Sequence, residues 1–306
     1  MNNQVTDKIV MVRPIKFCFN HETAVNNHYQ NFNNEDTTKI QKRALKEFDI
    51  LVEKLLSKGV QINVIQDTVE PSTPDSIFPN NWFSSHEEGF LFFYPMFAEN
   101  RRKELEKFRE NIYTIVAKRS LNIVDYSLKA KDNIFLEGTG SIVLDRKNKK
   151  AYCSLSQRSN KNLFEIFCKE INYKPITFSS FQDEKIIYHT NVMMSIGENR
   201  AIVCLDSIPE KRERENLINE LKKDKKEIVE ISLEQVKKFL GNTLELKGKE
   251  GKEGKRFIVM SETAYKSLTE NQKNMILKDT EIIYSDVSTI EYYGGGSVRC
   301  MIGEIF

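Results

Sequence analysis

Cys300 closes the string Gly294, Gly295, Gly296, Ser297, Val298, Arg299, Cys300. Three successive glycines permit positive φ angles and close backbone approach, which suits a loop that wraps a ligand and sets the next side chain at its edge. A cysteine placed there is a candidate nucleophile, although a single cysteine near a chain end is more often a small buried hydrophobe, so the functional reading needs partners. His189, in Tyr188, His189, Thr190, Asn191, Val192, Met193, Met194, supplies a base where one β-rich run ends and another begins; its default role is a satisfied core side chain. Glu137, in Leu136, Glu137, Gly138, Thr139, Gly140, Ser141, supplies an acid at a second glycine turn, where a glutamate can also simply face water. The conjunction of the three at element edges suits covalent catalysis by a thiolate, the histidine moving protons and the carboxylate holding substrate or histidine.

Such a trio needs a framework, and the hydrophobic pattern outlines one. Helical periodicity predicts a helix from Thr38 to Ser57, with Ile40, Leu45, Phe48, Leu51 and Leu55 on one stripe and Gly59 as its stop, followed by a strand from Val60 to Ile65. Further helices are expected over Asn100 to Lys118, Lys161 to Cys168, Lys211 to Lys223 and Ser261 to Leu277, the last opened by a Ser261 cap, with a short one over Leu233 to Leu240. Strand-like runs lie at Phe90 to Tyr94, Ser141 to Leu144, Lys185 to Tyr188, Ala201 to Leu205, Phe257 to Met260 and Ile282 to Tyr284. Five units of this kind in one domain spanning 1–306 suggest a closed or stacked α/β arrangement. A doubly wound sheet is the alternative; against it, no GxGxxG or GxxxxGK[ST] string follows a predicted strand, so nucleotide binding lacks its usual phosphate cradle.

Composition narrows the partners. Lys plus Arg (46) against Asp plus Glu (44) leaves a net charge of +2 over 306 residues, which implies no broad polycationic surface for nucleic acid. The Lys247 to Lys255 stretch reads as a solvated hairpin loop, its charge diluted by Glu250 and Glu253. Five scattered cysteines and four histidines show no metal-binding spacing, so neither a metal nor a disulfide framework is expected, and no cofactor is implied. The longest apolar run, around Phe90 to Phe97, falls short of the roughly 20 residues of a membrane span, and the polar N-terminus lacks a signal peptide's apolar stretch. A cytoplasmic enzyme acting on a small molecule, without nucleic-acid or membrane partners, is the expectation. Trp82 is expected in the core.

Together the strings FPNNWFSSH, LEGTGSIVLDR, YHTNVMM and GGGSVRCMIGEIF resemble those of the guanidino-group modifying enzymes, the superfamily of arginine deiminases, dimethylarginine dimethylaminohydrolases and amidinotransferases, and most closely the citrulline-utilisation hydrolase type. The resemblance covers most of the chain. It implies a five-bladed α/β propeller, the pentein fold, with pseudo-fivefold symmetry and an active site at the central axis. Carried over by position, it makes Cys300 the nucleophile, His189 the general acid and base, and Glu137 the acidic residue between histidine and substrate. Asp75 resembles the carboxylate that binds a substrate α-amino group. Arg101, beside Arg102, and Arg158 resemble the arginines that clamp the α-carboxylate, where a planar guanidinium binds both oxygens. The string from Arg13 to Asn27 also resembles this branch, as a loop that either covers the pocket or lies on the surface.

The departures from the family pattern are informative. Relatives acting on arginine carry acidic residues that grip the guanidinium where this chain has Asn80 and Asn81, and the deiminases carry one where it has Asn191. A buried cation needs compensating negative charge, whereas an amide donates to a carbonyl oxygen and accepts from N–H groups, as a ureido group requires. The three asparagines therefore point to a neutral, citrulline-like head group, converted to ornithine, carbon dioxide and ammonia. Arginine or dimethylarginine deimination and amidino transfer are the rival reactions, and a non-catalytic propeller binding protein is the rival from another class.

Overall fold

The computed structural model describes residues 3–116, 122–249 and 254–306. Four long amphipathic helices, and in a fifth unit two short ones, cross over between two parallel strands. Lys8–Arg13 pairs in parallel with Gln61–Gln66 across the helix Thr37–Ser57, and antiparallel with Gly303–Glu304 from the other end of the chain. The second sheet joins Phe83–His86, Phe90–Phe93 and Asn122–Asp125 around the helix Glu99–Val116. The third joins Val143–Asp145, Lys150–Ser154 and Lys174–Phe178 around Lys161–Glu170. The fourth joins Met194–Ile196, Arg200–Val203 and Glu227–Glu230 around Lys211–Lys223, and the fifth joins Leu244–Lys247, Arg256–Ser261 and Glu281–Ser285. In each, the middle strand runs antiparallel to one neighbour and parallel to the other. The result is a mixed α/β fold of small separate sheets, and among the described residues no sheet closes on itself.

Local chemistry accounts for the helix bounds. The Asp36 side chain accepts from Thr38 N–H at 2.7 Å, and Gly59 follows the last turn at φ +79°. Ile40, Ala44, Phe48, Leu51 and Leu55 form the buried stripe. Ala44 takes the place expected for Leu45, which is only half-buried, because the true stripe keeps the i, i+4 spacing from Ile40 to Phe48. The helix expected over Ser261 to Leu277 is broken. Ser261 caps Glu262–Ser267 as predicted, but Thr269 opens a second helix, Glu270–Leu277, with a reciprocal capping box to Gln272. Of the run Lys185 to Tyr188, only Lys185–Ile186 is strand, paired in a small hairpin with Phe181–Gln182. Ser141 ends a helical turn, Gly138–Ser141, and its strand begins at Val143. Lys118 and residues 250–253 of the lysine-rich loop lie outside the described residues.

Trp82 is fully buried, its ring 4.9 Å from Phe83 and 6.0 Å from Phe108, as expected of a core residue. No described helix is long and apolar enough to cross a membrane, and the described residues hold no cluster of metal-ligating side chains.

One feature of the unit positions the site. The first strand of each sheet is entered through a tight turn: Pro79–Asn81 before Phe83, Gly138–Ser141 before Val143, and Thr190–Met193 before Met194. Before Leu244 the turn is closed by Asn242 N–H on the Phe239 carbonyl at 2.9 Å, and before Gly303 by Cys300 N–H on the Ser297 carbonyl at 2.9 Å. First strands of four sheets line a common cavity together with Gln4, Thr139, Asn191 and Arg299. Gln4 binds two of these sheets, its Nε2 donating to the Leu144 and Ile196 carbonyls at 3.0 and 3.1 Å.

Candidate active site

Glu137, at the mouth of its glycine turn, and His189, just before Thr190, meet at 2.7 Å between Oε2 and Nε2. Both are buried, and the carboxylate has two further partners: Phe97 N–H at 2.8 Å on Oε1 and the Arg158 guanidinium at 3.4 Å on Oε2. Burial raises the Glu137 carboxyl, but the Arg158 charge and the His189 hydrogen bond outweigh it and hold the group down at about 2. Burial lowers the His189 imidazole to about 4, against the upward pull of Glu137. At neutral pH the ring is therefore uncharged. Its Nε2–H donates to the carboxylate, a tautomer assigned from that bond, and Nδ1 is left as a base.

The glycines of this turn are required by close approach. Gly138 sits at φ +44°, and a Cβ there would stand 2.4 Å from the Asn80 carbonyl. A Cβ on Gly140 would stand 2.4 Å from Asn81 Nδ2 and 2.8 Å from His189 Nδ1. Gly140 thus lets the asparagine amide and the free imidazole nitrogen come together over bare backbone.

Cys300 is 4% exposed. Two side-chain amides donate to its sulfur, Asn191 Nδ2 at 3.4 Å and Asn242 Nδ2 at 3.3 Å. Asn191 lies two residues beyond His189, and the Tyr188 hydroxyl donates to the Gly295 carbonyl at 2.9 Å. The histidine strand and the cysteine loop are thereby tied together from both sides of His189. The glycine string has a different reason from the one its sequence suggests. Gly294 ends the helix Ser288–Gly294, Gly295 caps it at φ +61°, and Cβ atoms on Gly294 and Gly296 would press on the Phe78 ring at 2.8 and 2.9 Å. The Gly295 N–H is taken by the Glu291 carbonyl at 2.9 Å, so the donors directed at the Cys300 sulfur are side-chain amides rather than that glycine's N–H.

The expected substrate residues divide into two groups. Asp75 Oδ1, Asn80 Oδ1 and Nδ2, Asn81 Nδ2 and Asn191 Oδ1 are buried without any hydrogen-bond partner in the fold, a costly condition that a polar ligand relieves. Asp75 is pushed up by burial, against the pull of Arg101. The two arginines are engaged within the protein. Arg101, rather than Arg102, is the inward one, but its Nε and Nη2 pair with Glu104 at 2.9 Å each, its Nη1 donates to Asn81 Oδ1 at 2.7 Å, and its Nη2 also reaches the Phe78 carbonyl at 3.0 Å. It braces Asn81 and fixes which end of that amide is free. Arg102 donates to the Met96 and Phe97 carbonyls.

A family model described as N,N dimethylarginine dimethylhydrolase, eukaryotic, matches residues 13–306. The chain belongs to this family. It is a hydrolase of carbon–nitrogen bonds within the guanidino-modifying pentein superfamily that its motifs resemble. None of the curated proteins compared matches the chain. Among solved structures it is similar to the N-terminal domain of ArgZ, an arginine dihydrolase from the ornithine–ammonia cycle in cyanobacteria, in a cysteine-to-serine variant bound to substrate. That match has a TM-score of 0.72 at 12% identity and covers 96% of each chain. Full-length apo ArgZ superposes with a TM-score of 0.75 at 12% identity over 98% of this chain, which spans 41% of that longer one. A histidine-to-glycine variant of dimethylarginine dimethylaminohydrolase, in adduct with S-methyl-L-thiocitrulline, gives 0.65 at 14% identity over 99% of both chains.

In this dimethylarginine dimethylhydrolase-family chain the N-terminal string packs against the residues of the site. Asn20 Nδ2 and Thr23 Oγ1 donate to Asp75 Oδ2 at 2.8 and 3.1 Å, and Arg158 donates to the Thr23 carbonyl at 2.9 Å and Asn26 Oδ1 at 2.8 Å. Asn27 Nδ2 reaches the Gly294 carbonyl at 3.1 Å. Asp75, Arg158 and the glycine loop, all singled out in the sequence, are the groups this string is bonded to. Asn242 was missed there; its mark is the Gly241–Asn242 pair ahead of a strand, the same placement as the other site turns.

Proposed function

We propose that the chain hydrolyses the ureido group of a citrulline-like amino acid through a covalent intermediate on Cys300, in a propeller whose five blades are the five sheets. The observation that carries this reading is the set of buried amide groups on Asn80, Asn81 and Asn191 that lack partners, beside a Glu137 carboxylate already compensated by Arg158. A guanidinium would bring a second cation to a carboxylate that has one, whereas a neutral ureido group supplies a carbonyl for Asn81 Nδ2 and N–H groups for free amide oxygens. Asp75 Oδ1 would take the substrate α-amino group, and Arg158 its α-carboxylate by exchanging its present bonds to Asn26 and the Thr23 carbonyl.

His189 Nδ1 accepts the Cys300 thiol proton as the sulfur attacks the ureido carbon, and Glu137 stabilises the imidazolium formed. The carbon–nitrogen bond to the side-chain amine then breaks, and the imidazolium returns the proton to that amine. Ornithine leaves and a carbamoyl thioester remains. His189 next takes a proton from water, whose oxygen attacks the thioester carbon; the carbon–sulfur bond breaks, the imidazolium returns the proton to the departing sulfur, and the released carbamic acid falls to carbon dioxide and ammonia.

Family membership favours a second reading, hydrolysis of arginine or its methylated forms, in which the ionised Glu137 alone meets the guanidinium. Product analysis with citrulline, arginine and dimethylarginine in parallel separates the two, and any new guanidino product with an added amine marks amidino transfer. Ornithine formed from citrulline is the expected result; turnover of arginine with citrulline untouched refutes the neutral-pocket reading. Cys300→Ala is expected to abolish turnover while leaving the melting temperature within a few degrees of wild type, and retained turnover would exclude Cys300 as nucleophile.

A further inference from the structure

Four of the five tight turns that enter the first strands carry a residue already placed at the site: Asn80 and Asn81, Glu137, Asn191 and Cys300. The fifth carries Asn242, buried on the turn between Phe239, at φ +60°, and the strand Leu244–Lys247. A Cβ on Gly241 would stand 2.3 Å from the Val192 carbonyl, so this turn lies directly against the one that follows His189.

The orientation of the Asn242 amide is set by its own partners. Its Oδ1 accepts the Arg299 N–H at 3.1 Å, and a backbone N–H can only donate. The amide NH2 must therefore face the other way, where it donates to the Asn191 carbonyl at 3.1 Å and to Cys300 Sγ at 3.3 Å. One side chain thus binds the residue before the nucleophile, the nucleophile itself, and the turn that follows the general base. Because it offers sulfur only a donor, it engages a lone pair of the sulfur and fixes where that lone pair points.

We propose that Asn242 is the positioning residue of the nucleophile, holding the Cys300 sulfur in register with His189 by a donated N–H. This rests on the reading of Cys300 as nucleophile. The Asn191 amide shares the sulfur, but its Oδ1 has no partner in the fold and is free to meet substrate, whereas both side-chain polar atoms of Asn242 are engaged. Asn191 then reads the ligand while Asn242 holds the sulfur.

Asn242→Asp separates positioning from bulk, because it keeps the shape and the acceptor for Arg299 N–H but replaces the donor to sulfur with negative charge. The rate of Cys300 alkylation by iodoacetamide, mapped by mass spectrometry, is measured against pH for wild type, Asn242→Asp and Asn242→Ala, with melting temperatures alongside. Cys300 alkylation is expected to slow about tenfold in Asn242→Ala and further in Asn242→Asp across the pH range, with kcat lowered about 100-fold or more in both. A folded Asn242→Asp protein with the wild-type profile overturns the proposal, and it decides the matter even if Asn242→Ala does not fold. Wild-type protein in which Cys300 is alkylated no faster than the other cysteines overturns the nucleophile reading and this proposal together. Wild-type labelling at Cys300 with an unmoved variant profile overturns this proposal alone.

Discussion

At His189 burial and a neighbouring carboxylate act in opposite directions on one imidazole, and burial wins, leaving the ring neutral down to about pH 4. An unfolded histidine binds its proton near 6.5, so between 6.5 and 4 the unfolded chain holds more protons and stability falls as pH falls. Glu137, held at about 2 against an ordinary 4.5, adds a second loss that begins as pH drops below 4.5. Urea midpoints measured across pH should thus decline from about pH 6.5 downward, and His189→Gln should flatten the upper part of that decline. Asn81→Asp is expected to lower citrulline kcat/KM about 100-fold, since it replaces the free Nδ2 donor with an acceptor beside Glu137; unchanged citrulline turnover would refute the amide argument. Cys300, His189 and Glu137 were legible because each sits in a short glycine- or turn-marked string. The Arg101 environment was not, because its pairing with Glu104 one helical turn on depends on which face of Glu99–Val116 turns inward.

The glycine turns show how elements carry the site. Gly140→Ala is expected to abolish activity while costing little stability, because the added methyl meets side-chain ends at Asn81 and His189. Gly138→Ala should destabilise by about 2 kcal/mol or more, since there the methyl meets the Asn80 backbone at positive φ. Activity assays and urea melts of the two variants check this contrast. Helices were legible to within a few residues because stripes such as Ile40, Phe48, Leu51 and Leu55 recur over many turns. The inner strands were poorly legible: Val143–Asp145 is three residues long and wholly buried, too short to alternate. The break between Glu262–Ser267 and Glu270–Leu277 escaped because apolar spacing continues across it, and only Thr269 with Gln272 marks the new start.

Across the whole molecule, the five units were countable from the alternation of helix and strand, but the topology that unites them was not, since one strand of the first sheet lies at the far end of the chain. Gln4 is the counterpart on the other side of this arrangement, joining the third and fourth sheets through buried carbonyls. Gln4→Ala leaves those carbonyls and the Arg146 N–H, which now meets Gln4 Oε1 at 2.8 Å, without partners. It should lower stability by about 2 to 3 kcal/mol, read as a lower urea midpoint, with catalysis in the absence of urea nearly unchanged.

Pairing of Lys8–Arg13 with Gly303–Glu304 also has a kinetic meaning. The turn that holds Cys300 runs directly into that last strand, so Cys300 is fixed only when two segments nearly three hundred residues apart have met. Such long-range closure is entropically unfavourable and comes late in folding. On a ribosome, His189 and Glu137 can settle among the middle sheets while the turn that carries Cys300 is still unmade. In refolding from denaturant, regain of turnover should follow the slowest spectroscopic phase and never precede it.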